Sequence, residues 1–282
     1  METAQRAFMK KSTSTPWWAW SAGALAILGA IGVGLYLART GNAPVSALPG
    51  QSTLATPATA PTGAPIQYPI DAAAGAGDAG TAVLPALDAS DAAAIEALSG
   101  LFGATGLGAL LNPEHVVQRI VATVDSLPRQ KLAPDALPIR GAQGSFAARK
   151  EGGQSDIDPR NFERYATYAR IALATDAKAL VAWYVHFYPL FQQAYRELGY
   201  PDGYFNDRLV FVVDHLLETP DVREPVALTQ PNVMYEFADP ALEKRSAGQK
   251  LLLRSGPENE AAIKAKLREI RAALTGQELP PA

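Results

Sequence analysis

The chain has 282 residues and 29.9 kDa, room for one domain of ordinary size with appendages. Hydrophobic residues make up 48% and charged ones 19%, which excludes wholesale disorder, and a net charge of −3 supplies no basic field for nucleic acid. Cysteine is absent, which excludes disulfides, thiolate metal sites, cysteine nucleophiles and a lipidated N-terminal cysteine.

Residues 1–16 carry Arg6, Lys10 and Lys11 against the single acid Glu2. Residues 17–38 carry no charge. As a helix that stretch would span roughly 33 Å, the thickness of the bilayer hydrocarbon core. Trp17, Trp18 and Trp20 mark one end and Tyr36 the other, where amphipathic rings sit at headgroups. The excess of basic residues before the span predicts a cytoplasmic tail over 1–16, a single-pass inner-membrane helix over 17–38 and a periplasmic remainder. A cleaved signal peptide fits less well. Its apolar core would be unusually long, and the best small-x-small site, Val45-Ser46-Ala47, lies well past the span. Four of the 25 basic residues and one of the 28 acidic ones lie within the first 39, so the exported part carries a net charge of −6.

Residues 39–83 read as a disordered tether. Between Thr40 and Ala82 only Asp71 and Asp78 are charged, and Pro44, Pro49, Pro57, Pro61, Pro65 and Pro69 recur among Ala, Gly, Ser and Thr. Such a composition buries too little apolar area to offset its ordering entropy. Gly75, Gly77 and Gly80 match G-x-G-x-x-G, but no strand precedes them, so a dinucleotide site is not expected.

From 84 to 276 the periodicity predicts a mainly α, multi-helical globular domain, with a flexible C-terminus over 277–282. Asp88 to Phe102 reads as a first helix with Ser90 as its cap. Asn112-Pro113 signals a second, whose face is Val116, Val117, Ile120, Val121 and Val124. Residues 128–157 are rich in Pro and Gly and read as a long loop. Asp158-Pro159 starts a third helix, with Phe162, Tyr165 and Ala169 on its buried face. Asp176 to about Leu198 is the longest, with Pro189 inside it, where a kink is expected. Pro201-Asp202-Gly203 turns the chain into a helix carrying Leu209, Val212, Val213 and Leu216. Phe211 lies off that stripe, so this helix is expected to be central. Val226 to Phe237 suits a short extended segment. Short helices follow from Pro240 and from Ala247 to Arg254. The last runs from Pro257 on a stripe of Ile263, Leu267, Ile270 and Leu274 until Gly276 ends it. Lys264, Arg268 and Arg271 form a basic line on its polar side, expected to be a solvated face.

Four strings are distinctive: Tyr188 to Pro201, Tyr204 to Leu209, Tyr235 to Pro240 and Ser246 to Arg254. With them the chain resembles an uncharacterised bacterial family, domain of unknown function three-thousand-fourteen, over about residues 84–274. The resemblance implies a membrane anchor, a low-complexity tether and a helical domain in the Gram-negative envelope. It transfers no activity, cofactor or catalytic residue.

The three histidines, His115, His186 and His215, make no metal-ligand spacing. Nucleophile-elbow and P-loop motifs are absent. Asp207, Asp214 and His215 are the residues an envelope hydrolase would need, provided that they converge. The richest constellation is Tyr184, Tyr188, Tyr195, Tyr200 and Tyr204 with Asn206, Asp207 and Arg208, where a proline-containing helix meets the start of the next. Two readings stay open: a structural seam, or a groove for a peptide or envelope glycan with Tyr184, Tyr188, Tyr195, Tyr204, Asn206, Asp207 and Arg208 as binding residues. The overall expectation is a non-enzymatic scaffold, anchored through 17–38, that meets an envelope protein or peptidoglycan. No catalytic residue, metal or cofactor is assigned.

Overall fold

A computed structural model describes residues 65–73, 83–102, 110–132, 137–142, 144–222 and 225–278. The 1–16 tail, the 17–38 span, tether residues 39–64, the Gly75–Gly80 motif and residues 279–282 lie outside these. Among the described residues no helix is long and apolar enough to cross a membrane.

The body is mainly helical. In chain order it comprises α1 (Asp91–Phe102), α2 (Val116–Ser126), β1 (Ala148–Glu151), β2 (Gln154–Ile157), α3 (Arg160–Ala174), α4 (Ala177–Glu197), α5 (Phe205–Leu217), β3 (Ala227–Thr229), β4 (Glu236–Phe237), α6 (Pro240–Glu243), α7 (Ala247–Ser255) and α8 (Pro257–Thr275). Helix α8 is the pillar. It packs on α3, α4, α5 and α7, while α2 packs on α4 and α5. The predicted apolar stripes are the ones buried: Val116, Val117, Ile120, Val121 and Val124 of α2 meet Leu180, Phe187 and Phe191 of α4 and Leu267 and Leu274 of α8 in one core.

Several helix ends follow the sequence closely. Asp176 caps α4 by accepting the Ala179 N–H at 2.8 Å, and Ser246 caps α7 through the Gln249 N–H. Asp158 accepts the Arg160 N–H at 2.9 Å and pairs with its guanidinium, which holds the carboxyl down at about 2. The second helix is different. It begins at Val116, not at Pro113, because Asn112 is engaged elsewhere: its side chain donates to the Leu137 carbonyl and its N–H to that of Pro138. The cap comes from another helix. The Asp91 carboxylate accepts the His115 and Val116 N–H groups at 2.7 and 2.8 Å, with His115 in the left-handed region at φ 55°. Ser90 does not cap α1. Its hydroxyl donates to the Leu87 carbonyl, closing a 3₁₀ turn over Leu87–Ala89.

The segment 128–157 is not all loop. It ends in a hairpin, β1–β2, turned by Gly152 and Gly153 at φ 59° and 84°, the left-handed pair that a two-residue hairpin turn requires. Strand β2 pairs antiparallel with β3, and β3 with β4, in the order β1-β2-β3-β4. The predicted extended segment 226–237 supplies the last two strands. A satellite core of Ile157, Val226, Leu228, Phe237, Leu242 and Leu253 joins this small sheet to α6 and α7. Helix α5 is not enclosed on all sides, since Phe211 is 51% exposed on its outer face.

The tether expectation does not hold for residues 65–73. This piece packs on the domain as a strap, with a 3₁₀ turn over Ile70–Ala72 lying against α8 and Ala73 buried. Tyr68 and Ile70 are the cause. They pack against the main core, and apolar burial there outweighs the composition of the rest of the segment.

Candidate functional site

The tyrosine-rich corner joins the C-terminal half of α4 to the first turn of α5. Its interior is a seam. Tyr184 and Tyr195 are buried among Phe191 and Phe205, whose rings stack with centroids 5.7 Å apart. Tyr195 stacks on Tyr200 at 4.6 Å. Burial pushes the Tyr195 hydroxyl up to about 12 and that of Tyr184 well above its ordinary value. The turn itself touches this seam, because a Cβ on Gly203 would lie 2.9 Å from the Tyr195 ring.

Gln192 organises the corner and escapes a reading of the sequence. It is buried in α4 beside Phe191. Its Oε1 accepts the Tyr188 hydroxyl at 3.0 Å and the Phe205 N–H at 2.9 Å, and its Nε2 donates to the Gly203 carbonyl at 2.7 Å. One amide thus fixes both the turn and the start of α5. The available signal is a lone amide on an otherwise apolar helix face, four residues after Tyr188.

In the first turn of α5 Asn206 is buried and Asp207 half-buried, and their partners are not free amides of that helix. The Tyr184 hydroxyl donates to Asn206 Oδ1 at 3.3 Å, which leaves Nδ2 to donate to the Tyr68 carbonyl at 2.8 Å. The Asp207 carboxylate accepts two consecutive strap amides, Gln67 N–H at 3.0 Å and Tyr68 N–H at 2.7 Å. Successive amides converging on one anion form a backbone nest, here turned on a side chain of the same protein. Beside the strap a groove of about 460 Å³ stays open, bounded by Ile66, Pro69, Tyr188, Arg196, Asp202 and Tyr204. Tyr204 is 39% exposed at its rim.

Arg208 belongs to a separate cluster. It lies 3.1 Å from the buried Asp125 carboxylate of α2 without the alignment of a hydrogen bond, and donates to the Asp125 carbonyl at 2.8 Å. Arg129 pairs with the same carboxylate, and the Tyr200 hydroxyl reaches it at 3.2 Å. This cluster ties α2 to the corner. Asp125 was legible only as a polar residue ending an apolar helix.

The hydrolase candidates do not converge. Asp207 serves the strap, Asp214 pairs with Arg271 of α8, and the His215 ring meets the Ser246 hydroxyl of α7 at 2.9 Å. Among the described residues no group of three or more His, Cys, Asp or Glu side chains is placed to hold a metal ion. Behind the corner the core holds an apolar void of about 40 Å³, which has room for a few waters and not for an organic ligand.

Of the basic line of α8, Lys264 and Arg271 are buried and Arg268 is half-buried, so the line is not a solvated face. Lys264 donates to Asp221 at 2.7 Å and to the Thr219 carbonyl at 2.6 Å, and forms an ion pair with Glu260 at 2.6 Å. Arg271 is buried on Asp214, and Lys266 is buried on Glu269 and the Thr175 carbonyl. Desolvation pushes Glu260 above its ordinary value, and Lys264 acts against that push. The reason is length: α8 packs on four helices, and long cationic stems on its edge reach carbonyls at their ends.

Fold and site define a helical domain with a strapped corner, in which Asp207, Asp214 and His215 stay apart. The family model described as "Protein of unknown function (DUF3014)" matches residues 116–271, more than half of the chain, and the chain belongs to that family. Comparison with curated proteins and with solved structures found no match.

Proposed function

We propose that the chain is a non-enzymatic interaction module of the bacterial cell envelope. In this reading residues 17–38 anchor it in the inner membrane, with the N-terminus cytoplasmic. Residues 39–64 then hold the helical domain off the periplasmic face, and the tyrosine corner meets an envelope protein or peptidoglycan. One observation carries the reading. The corner already holds a peptide segment through Asn206 and Asp207, and an open groove rimmed by Tyr188 and Tyr204 runs beside it. A concave surface with aromatic walls and a few placed polar groups is the usual anatomy of a binding site. The separate commitments of Asp207, Asp214 and His215 weigh against hydrolysis.

Two measurements test it. A C-terminal alkaline phosphatase fusion is expected to be active, and an inactive one would reverse the orientation. A photo-crosslinking phenylalanine analogue at Tyr204 is expected to trap a discrete envelope component in cells. The same analogue at Val233, exposed on the β3–β4 loop, is expected not to trap it. No adduct from Tyr204, or the same adduct from both positions, would remove the corner from the function.

A further inference from the structure

We propose that the Asn206–Asp207 seat is a binding site for proline-bracketed aromatic peptides supplied in trans, and that residues 65–73 are its resident competitor. The inference rests on the corner being the interaction surface, and it names the class of ligand and the means of regulation.

The seat reads main chain. Its three hydrogen bonds go to two consecutive N–H groups and one carbonyl, atoms that any peptide offers where prolines do not interrupt it. Such a pair of donors is what Asp207 needs. No cation pairs with it among the described residues, so its carboxylate relies on the strap amides. Asn206 is set in advance: it is buried, and the Tyr184 hydroxyl holds its oxygen so that its amide nitrogen faces the ligand.

Side chains supply register. Tyr68 is the one aromatic residue in the 39–83 segment, and Tyr68 and Ile70 lean on the main core, which Ala73 joins. Pro65 and Pro69 bracket the two donors, with Pro69 at φ −59° and ψ 135°, so the ligand's shape is partly fixed before binding. The open groove beside Tyr188, Arg196, Asp202 and Tyr204 leaves room for a longer ligand than the strap. The strap joins Val83 through residues 74–82, which are Ala, Gly, Asp and Thr. A connection of that length gives an effective concentration on the order of millimolar, so a partner binds only by outcompeting it or when the strap is released.

The test uses full-length protein in detergent micelles and a fluorescein-labelled peptide with the sequence of residues 65–73. Fluorescence anisotropy is read for the native chain and for a Tyr68→Ala, Ile70→Ala strap variant. The strap variant is expected to bind the probe at least about tenfold more tightly, since its resident competitor is weakened. Adding Asp207→Ala is expected to abolish that gain. A probe methylated on the two amides corresponding to Gln67 and Tyr68 is expected not to bind. That arm leaves the protein untouched and decides the matter even where Asp207→Ala fails to fold. Equal binding of methylated and unmethylated probe, or no gain in the strap variant, would overturn the proposal. So would displacement of the strap by a soluble peptidoglycan fragment and not by the peptide. Capture of a partner at Tyr204 combined with any of these would leave the corner as the interaction surface and discard only the peptide class.

Discussion

The tyrosine corner and the polar edge of α8 are opposite solutions to burying polar groups in one helical body. At the corner the groups are mostly neutral, and several of their partners are main-chain atoms of a strap that is remote in sequence. On α8 they are charged, and Lys264, Lys266 and Arg271 are each closed off by a carboxylate, a carbonyl or both. A buried ion that loses its partner has nowhere to go, whereas a peptide amide that leaves a rim is rehydrated. The α8 edge is therefore expected to be a lock and the corner an exchangeable seat.

The comparison breaks most readily at Lys264. Lys264→Ala strands Glu260 in a desolvated position and is expected to cost about 3–5 kcal/mol, read by chemical denaturation. Replacing both partners, Lys264→Met with Glu260→Leu, is expected to recover most of that loss. If the single variant loses less than about 1 kcal/mol, α8 is not a lock. Gln192→Leu comes next. It leaves the Phe205 N–H, the Gly203 carbonyl and the Tyr188 hydroxyl without their partner and is expected to cost about 2–3 kcal/mol. Asp207→Ala is the contrasting case. Its global effect is expected to be about 1 kcal/mol, while hydrogen exchange at the amides of Gln67 and Tyr68 accelerates strongly. Lys264→Ala should leave those two amides comparatively protected under native conditions. Equal acceleration in both variants would mean that strap and body open as one unit, and the distinction would fall.

The helices were legible because their stripes are long and regular. Leu180, Phe187 and Phe191, or Ile263, Leu267 and Leu274, admit one period only. The start of α4 was legible at Asp176, which does cap it, whereas Ser90, read as the cap of α1, bonds back to the Leu87 carbonyl, and the reach of Asp91 across to His115 and Val116 left no local signal. The β1–β2 hairpin left little pattern because β1 is polar and mostly exposed, and Gly152-Gly153 was its one local signal. The strap was hidden by averaging. Tyr68 and Ile70 dock it, but their composition disappears among the alanines and prolines around them. Of the proposed binding residues, sequence spacing brought the right ones near the corner. It could not separate buried Tyr184, Tyr195 and Asn206 from the open rim at Tyr188 and Tyr204. Nor could it place Arg208 on Asp125, since α2 lies some eighty residues earlier in the chain.

The smallest expected effect lies between the two regions, at His215. Its ring is half-buried on α5, stacked on Phe211 and bonded to Ser246 of α7, with Glu218, Arg208 and Arg245 as its charged neighbours. Burial lowers its pKa below the ordinary imidazole value, the nearby arginines add to that, and Glu218 opposes it. Below the ordinary value the unfolded chain binds a proton that the folded ring resists. Stability is therefore full at higher pH and declines as pH falls through that window. His215→Gln is expected to remove this component, so that the loss of stability from about pH 7.5 to about pH 5.5 is smaller in the variant than in the native chain. An identical pH profile in the two proteins would show that the ring is as free to protonate as in the unfolded chain. The α5–α7 contact would then behave like the rim of the corner and not like the closed edge of α8.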